Sequence, residues 1–326
     1  MADAIALTRW SDTNVRLGTV VDTMAQLRRS VARTASRTWV MTLVAVATND
    51  DEAYQATQIL RSLGAHHPAR LVVVHPQTDP DGEGGGPGID ASVTIYGAEV
   101  DGHPLTFDEV GLWVRGDAAR HLDSIVEPFT LSDLPVVVWY PASLPAVSEP
   151  LLSLATSVLV DTRDARDVAG LIALAGRRAV VDLSWMRLRP WREMVATLFD
   201  TPTFRPLARQ VTSARVEGKG GPRRLLAGWL ASRLNLNKQQ LELEDARHAR
   251  IVLRVGHTAT FEVAREDSAR LVRATASIEG GSNYQEVLPL PDDSLAWSLA
   301  EALTHLERDR VWQQALAAGV AADAWQ

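Results

Sequence analysis

Five short runs of apolar, mostly β-branched residues constrain the fold of this chain more than any other feature of its sequence. Near-continuous apolar runs are typical of strands buried on both faces, as in parallel sheets. The segments between the runs are long enough for crossover helices, so the pattern predicts an α/β fold with a mostly parallel, doubly wound sheet. The runs are TWVMTLVAVA (38–47), RLVVVH (70–75), LPVVVWYP (134–141), SVLVD (157–161) and RAVVDL (178–183).

Helical periodicity accompanies these runs. Apolar residues at alternating steps of three and four predict an amphipathic docking helix within residues 1–36, which could pack on its own domain or pair with another chain. Asn49 and Glu52 form a plausible cap for the next helix, which Gly64 would close. The residues that define the first helix are Leu17, Val20, Met24, Leu27 and Val31.

The pattern of polar and apolar residues changes in the last third of the sequence. Four segments alternate polar and apolar residues, as strands with one wet face do, so they predict a second, smaller α+β domain containing antiparallel strands. We therefore expect an α/β domain at 37–205 and an α+β domain with C-terminal helices at 206–326, with the boundary between about 165 and 205. The four segments are 209–218, 249–255, 258–265 and 269–276.

Composition excludes several classes of function. The chain has no cysteine, which removes disulfides and thiolate chemistry. Its formal net charge of -7 argues against a nucleic-acid or membrane-surface partner. The sequence lacks a secretory leader pattern and any apolar run long enough for a membrane span, so a cytoplasmic location is expected.

Motifs for cofactors and metals are weak. The glycines of GEGGGPG (82–88) do not fit a dinucleotide fingerprint, and GKGGP (218–222) lacks the serine or threonine of a phosphate-binding loop. Backbone amides at the helix start after Lys219 could still hold an anion. His66 and His67 are adjacent, so they point apart and do not form a metal-ligand spacing. No cofactor and no metal are expected.

Polar residues follow the predicted strands. His75, Tyr140, Asp161 and Asp182 stand at carboxyl ends of strands, where open α/β sheets bind ligands. Two arginines, at positions 163 and 187, follow two of these ends and could pair with the carboxylates or bind an anion. The other interpretation is structural, with both carboxylates capping the turns or helices that follow. An acid/base pair has no diagnostic spacing in its favour.

The stretch DLSWMRLRPWREMVATLFD (182–200) divides into two parts. Pro190 suits the first position of a helix, and the residues at 191, 194, 195 and 198 form its apolar face. The remaining residues lie in a preceding turn, predicted from Leu183 to Arg189, or on the opposite face of the helix, and they include Trp185, Arg187, Arg189 and Arg192. A cluster of tryptophan and arginine has the composition of a protein-binding hot spot.

Four motifs occur in the order seen in one family. HPAR (67–70), LPVVVWYP, DLSWMRLRPWREMVATLFD and LLAGWLASRL (225–234) resemble the OpcA family, the glucose-6-phosphate dehydrogenase assembly proteins, over residues from about 37 to 310. The resemblance implies a non-catalytic protein that binds this dehydrogenase and promotes its assembly or allosteric activation. It would thereby support NADPH supply through the oxidative pentose phosphate pathway.

The family offers no catalytic residues to carry over. The positions that match its motifs, among them His67, Arg70 and Trp185, are candidate partner contacts. The residues themselves leave a second hypothesis open, an enzyme or sensor that binds a sugar phosphate or nucleotide. That hypothesis uses the strand-end cluster, which comprises Asp161, Arg163, Asp182 and Arg187.

Overall fold

The computed structural model describes residues 4–31, 39–64, 67, 69–77, 88–100, 102–266, 270–281, 283–322 and 324. The chain divides into two compact units that are not continuous in sequence. The first unit comprises Met1–Val160, Arg177–Val181 and Leu299–Glu307, and the second comprises Asp161–Gly176, Asp182–Ser298 and Arg308–Gln326. The domain limits expected from the sequence stay a prediction.

The first unit contains a mixed sheet, which has eight strands among the described residues. The strands are β1 (Ile5–Asp12), β2 (Met41–Val46), β3 (Ala69–Gln77), β4 (Gly88–Val100), β5 (His103–Arg115), β6 (Val136–Trp139), β7 (Ser157–Val160) and β8 (Ala179–Asp182). Their order is β1-β4-β5-β3-β2-β6-β7-β8. Strand β2 pairs in parallel with β3 and β6, β3 with β5, and β6 with β7, whereas β4 is antiparallel to β1 and β5. The predicted mostly parallel α/β sheet is confirmed.

Burial explains which strands the sequence predicted. Every residue of β2, β6 and β7 is buried, so these strands are apolar on both faces. Strand β5 was not predicted, because Asp108 and Glu109 interrupt its apolar residues although both are buried. Asp108 accepts from Arg28 on the first helix, and Glu109 accepts from Arg61 on the second at 2.7 Å. These ion pairs with distant residues make the polar positions compatible with the core.

Two helices of the first unit were predicted from the sequence, and they are α1 (Leu17–Val31) and α2 (Asp50–Gly64). The described residues of this unit also form a short helix, α3 (Leu122–Val126). The cap of α2 is confirmed, because Asn49 Oδ1 accepts from the backbone N–H of Glu52 at 2.9 Å and the Glu52 carboxylate accepts from Thr48 N at 2.8 Å. Most of the glycine-rich segment 82–88 lies outside the described residues.

The second unit contains a mostly antiparallel sheet. Its strands, as far as the structure describes them, are β9 (Ser213–Gly218), β10 (Leu241–Asp245), β11 (Arg250–Val255), β12 (Ala259–Arg265), β13 (Leu271–Ile278) and β14 (Tyr284–Pro289), in the order β10-β9-β11-β12-β13-β14. Strands β9 and β10 are parallel, and the other pairs are antiparallel. The predicted antiparallel strands of an α+β fold are thereby confirmed. The two edge strands, β10 and β14, were not predicted, because little of either is buried.

Two helices of the second unit approach each other closely at a glycine. The remaining α-helices among the described residues are α4 (Ala169–Arg177), α5 (Leu183–Arg187), α6 (Arg189–Asp200), α7 (Gly220–Leu234), α8 (Leu295–Leu303) and α9 (Arg310–Ala321). A Cβ atom at Gly228 of α7 would lie 2.0 Å from the carbonyl oxygen of Ala315 and 2.7 Å from the nitrogen of Gly319, both in α9. The motif LLAGWLASRL therefore has a packing role. None of the described helices is long and apolar enough to cross a membrane.

Replacing this glycine tests the contact between α7 and α9. We expect Gly228→Ala to lower the free energy of unfolding by about 1–3 kcal/mol, because the added methyl group must displace the backbone of α9. Gly176→Ala in α4 is the matched control, since a Cβ there meets nothing within 4 Å. Alanine should be neutral at position 176, or stabilise by about 0.5–1 kcal/mol through its helix preference. Chemical denaturation measures both, and equal effects would contradict the close approach.

Candidate functional site

The carboxylate of Asp182 lies at the centre of the strand-end cluster. Asp182 ends β8 and is buried, with 1% of its surface exposed. Its Oδ1 accepts from the backbone N–H groups of Thr162 (3.1 Å) and Ser184 (3.0 Å). Its Oδ2 accepts from Thr162 Oγ1 (2.6 Å) and from the indole Nε1 of Trp312 (3.2 Å). Four donors thus satisfy the carboxylate, and the bond from Ser184 caps α5.

Opposing effects set the charge of Asp182. Burial, assisted by the negative charge of Asp161, raises the pKa of Asp182 to about 6, whereas the hydrogen bonds from Thr162 and Trp312 act in the opposite direction. The carboxyl is therefore ionised at neutral pH. A buried anion is tolerated at this position because every acceptor site has a donor.

Asp161 and Arg187 form an ion pair beside this carboxylate. Arg187 Nη1 lies 2.8 Å from Asp161 Oδ2, and the two side chains are only 11% and 13% exposed. Asp161 Oδ1 also accepts from Ser184 Oγ at 2.6 Å, and Arg187 Nε donates to Ser298 Oγ at 2.9 Å. The predicted pairing of these strand-end residues is thus present.

Arg163 does not join this network through its side chain. Its backbone N–H donates to Asp161 Oδ1 at 3.1 Å, so the carboxylate stabilises the turn after β7 as the capping interpretation expects. The guanidinium of Arg163 is exposed. Among the four residues of the candidate sugar-phosphate site, three are therefore engaged in contacts within the second unit, which counts against an open ligand site at the strand ends.

Trp185 belongs to the core of the second unit. The turn predicted at Leu183–Arg189 is wrong, because Leu183–Arg187 form α5 and α6 begins at Arg189. Trp185 is 0% exposed, and its Nε1 donates to Asp309 Oδ2 at 2.7 Å. This tryptophan is therefore not a surface anchor, although its sequence context has the composition of one.

The arginines around Trp185 differ in exposure. Arg192 places its guanidinium carbon 3.6 Å from the centroid of the Trp185 ring, and burial lowers the pKa of Arg192 to about 10. Arg189 is exposed and forms an ion pair with Glu193 at 2.8 Å. Pro190 is the second residue of α6 rather than the first, and Trp191 is buried as predicted.

The HPAR motif lies in the first unit. Arg70 is buried, donates through Nη1 to the carbonyl of Phe129 at 2.7 Å and lies 3.4 Å from Asp108. Burial, with the nearby charge of Arg28, lowers the pKa of Arg70 to about 10. His67 is half-buried, and its backbone N–H donates to the carbonyl of Leu63 at 2.8 Å. These contacts of Arg70 with other described residues indicate a structural role.

Two other strand-end residues also lie in the first unit. His75, within β3, places Nδ1 3.0 Å from Asp50 Oδ1. Tyr140 directly follows β6 and is buried, and burial raises the pKa of its hydroxyl above the ordinary value. His75 and Tyr140 therefore belong to the first unit, whereas Asp161 and Asp182 belong to the second.

The glycines of GKGGP serve close packing. Gly221 donates its backbone N–H to the carbonyl of Arg163 at 2.8 Å, and a Cβ atom at Gly221 would lie 1.8 Å from the carbonyl oxygen of Thr162. Gly220 has a φ of +53°, which favours glycine. The start of α7 is therefore occupied by a neighbouring segment of the same unit, and this amide does not face an anion.

Sequence reasoning missed several members of the network. Trp312 and Asp309 follow Asp182 by more than 120 residues, and no local pattern links them to a strand end. Ser184 stands two residues after Asp182, and this Asx-turn spacing is the one signal that could have indicated it, whereas Thr162 bonds to an aspartate 20 residues away. Within the described residues, no group of three or more His, Cys, Asp or Glu side chains could hold a metal ion.

Comparison with known proteins identifies the class. A model described as the N-terminal domain of a glucose-6-phosphate dehydrogenase subunit matches residues 61–176, and one described as the C-terminal domain matches residues 178–316. The successive matches assign the chain to a class of two-domain proteins named for this dehydrogenase. The chain belongs to the OpcA family.

Two curated relatives carry the same family name. A protein of Synechocystis sp., provisionally named OxPP cycle protein OpcA, is 27% identical over 194 residues, which are 55% of this chain and 40% of the relative. A protein of the same provisional name from Nostoc punctiforme is 24% identical over 191 residues, 54% of this chain and 40% of the relative. The matched region thus spans less than half the length of either relative. No solved structure matches the chain.

Asp182→Asn tests the buried carboxylate. The amide replaces an acceptor oxygen with a donor that faces other donors, so the free energy of unfolding at pH 7 should fall by about 1–3 kcal/mol. The folded-state pKa of about 6 lies above the ordinary 3.8, so the parent gains stability at low pH and loses it as the pH rises through 6. The deficit of the variant should therefore grow from pH 7 to about pH 4.

Denaturation curves across this pH range measure that deficit. Asp164→Asn, at an exposed position of the same unit, controls for the change of residue type. A deficit that is independent of pH would show that the pKa of Asp182 is not raised.

Trp185 provides a second test of the network. Trp185→Ala should lower the free energy of unfolding by about 3–5 kcal/mol, because a fully buried ring is removed. Trp185→Phe should lower the free energy of unfolding by less, because phenylalanine retains most of the side-chain volume even though the bond to Asp309 is lost. Arg189→Ala should change stability by less than about 0.5 kcal/mol. Thermal melts of the three variants compare them, and a Trp185→Ala variant as stable as the parent would contradict the buried position.

Proposed function

We propose that this protein binds glucose-6-phosphate dehydrogenase and promotes its assembly and allosteric activation without catalysing a reaction itself. This role would support NADPH supply through the oxidative pentose phosphate pathway. The matches to both dehydrogenase-subunit domains, in order along the chain, support the partner. The provisional names of the two relatives support the pathway.

One structural observation supports the absence of catalysis. The carboxylates at the ends of β7 and β8 accept hydrogen bonds from Thr162, Ser184, Arg187 and Trp312. A general acid or base must instead reach its substrate within hydrogen-bond distance. The strand-end position that many α/β enzymes use for chemistry is thus filled by internal contacts of the second unit.

Activation requires differential binding. A protein activates its partner only if it binds the active arrangement more tightly than the inactive one, and a difference of about 1–3 kcal/mol gives roughly 5- to 150-fold coupling. The energy would come from an interface between the proteins. Among the candidate contacts, Arg163 and Arg189 have exposed side chains, and we propose these two as direct contacts.

Kinetics and oligomer size test the proposal. Purified dehydrogenase mixed with this protein should elute with it as one complex in size-exclusion chromatography and show a changed kcat or KM. Arg163→Ala with Arg189→Ala should weaken the complex at least about fivefold with an unchanged Tm, because arginines at hot spots often contribute more than 1 kcal/mol. Arg209→Ala, at another exposed arginine of the second unit, is the matched control.

Each outcome has a separate meaning. If no complex forms and kinetics do not change at micromolar concentrations, the proposed function is wrong. If the double variant binds as tightly as the control, the interface lies elsewhere on the protein.

A further inference from the structure

A cavity of about 190 Å³ lies in the second unit, next to the strand-end network. Arg187, Arg247, Arg265 and Arg270 all line it. We propose that this cavity binds a small phosphate ester. The proposal differs from the strand-end site considered from the sequence, because neither Asp161 nor Asp182 lines the cavity.

The charge of the lining reverses the charge of the protein. The chain as a whole carries a formal charge of -7, whereas the cavity is lined by four arginines and only two carboxylates, Asp292 and Asp293. Both carboxylates lie near one arginine, since Arg270 Nη2 is 3.6 Å from Asp292 Oδ1 and 3.1 Å from Asp293 Oδ1. Positive charge is therefore left over on the wall of the cavity, where it attracts an anion.

Arg247 and Arg265 provide this excess charge. Neither guanidinium has a hydrogen-bond or ion-pair partner within the part of the chain that the structure describes. Arg247 is exposed and Arg265 is half-buried, so a ligand can reach them from solvent. Planar guanidinium groups match the oxygens of a phosphate in a bidentate arrangement, which a single ammonium group cannot provide.

The lining of the cavity also includes apolar and aromatic side chains. Trp191 and Trp297 line it, together with Leu188 and Leu290. Sites for small ligands generally combine apolar and aromatic walls with a few polar groups that fix the orientation of the ligand. The volume of the cavity, about 190 Å³, is several times the roughly 30 Å³ that a water molecule occupies in the liquid. It is smaller than the volume of typical sites for drug-sized ligands. The cavity thus suits a phosphomonoester of a small organic group rather than a dinucleotide.

Direct binding to the protein alone tests this site. Isothermal titration calorimetry at fixed ionic strength would use inorganic phosphate, glucose 6-phosphate, AMP and unphosphorylated glucose as probes. At least one of the two phosphate esters should bind, and glucose should not. Arg247→Gln with Arg265→Gln should weaken the binding at least about tenfold, a change of about 1.4 kcal/mol. Arg209→Gln is the matched control, and thermal melts verify that each variant is folded.

Three results would overturn the proposal. These are the absence of binding by both esters at millimolar concentration, equal binding of glucose and glucose 6-phosphate, and unchanged binding by the folded double variant. The dehydrogenase is absent from these titrations. A failure to detect ligand binding would therefore say nothing about the proposed complex, and a failure to detect the complex would say nothing about ligand binding.

Discussion

The second unit is organised around one buried negative charge. Transferring a carboxylate from water to the interior is costly unless hydrogen bonds replace its hydration. For Asp182 these bonds come from Thr162 after β7, from Ser184 in α5 and from Trp312 in α9. The three segments are therefore fixed relative to one another by a single side chain. A shift of any of them would remove at least one of the four hydrogen bonds to the buried carboxylate, which gives this arrangement its specificity.

Asp309 extends the same constraint along α9. It caps the helix by accepting from the backbone N–H groups of Val311 and Trp312, and it also accepts from the indole of Trp185. The cap thus connects the start of α9 to α5, and Trp312 connects the same first turn of α9 to Asp182. Gly228 then allows the backbone of α7 to contact α9 directly. The carboxylates that follow β7 and β8 stand where many α/β proteins bind a ligand, but in this unit they accept hydrogen bonds from neighbouring side chains and backbone.

The sequence predicts those parts of the fold in which burial dictates composition. Strands β2, β3, β6, β7 and β8 were predicted because apolar residues cover both faces. The buried acidic residues of β5 and the role of Trp185 were not predicted, because both depend on partners far away in the sequence. An arginine stacked on a tryptophan has the same composition in a core as at an interface. Exposure alone distinguishes the two cases, and sequence alone does not give exposure.

Arg187 links the buried network to the arginine-lined cavity. Its guanidinium is held by Asp161 and Ser298, so the core fixes its position and a ligand would not have to order it. If the proposed complex with the dehydrogenase forms, such a ligand would influence it only if the affinity for the ligand differs between the free protein and the complex. Reciprocity then requires the dehydrogenase to change the affinity for the ligand by the same factor. A measurement of ligand affinity with and without the partner therefore reports the coupling free energy between the two sites, even where the kinetic effect on the dehydrogenase is small.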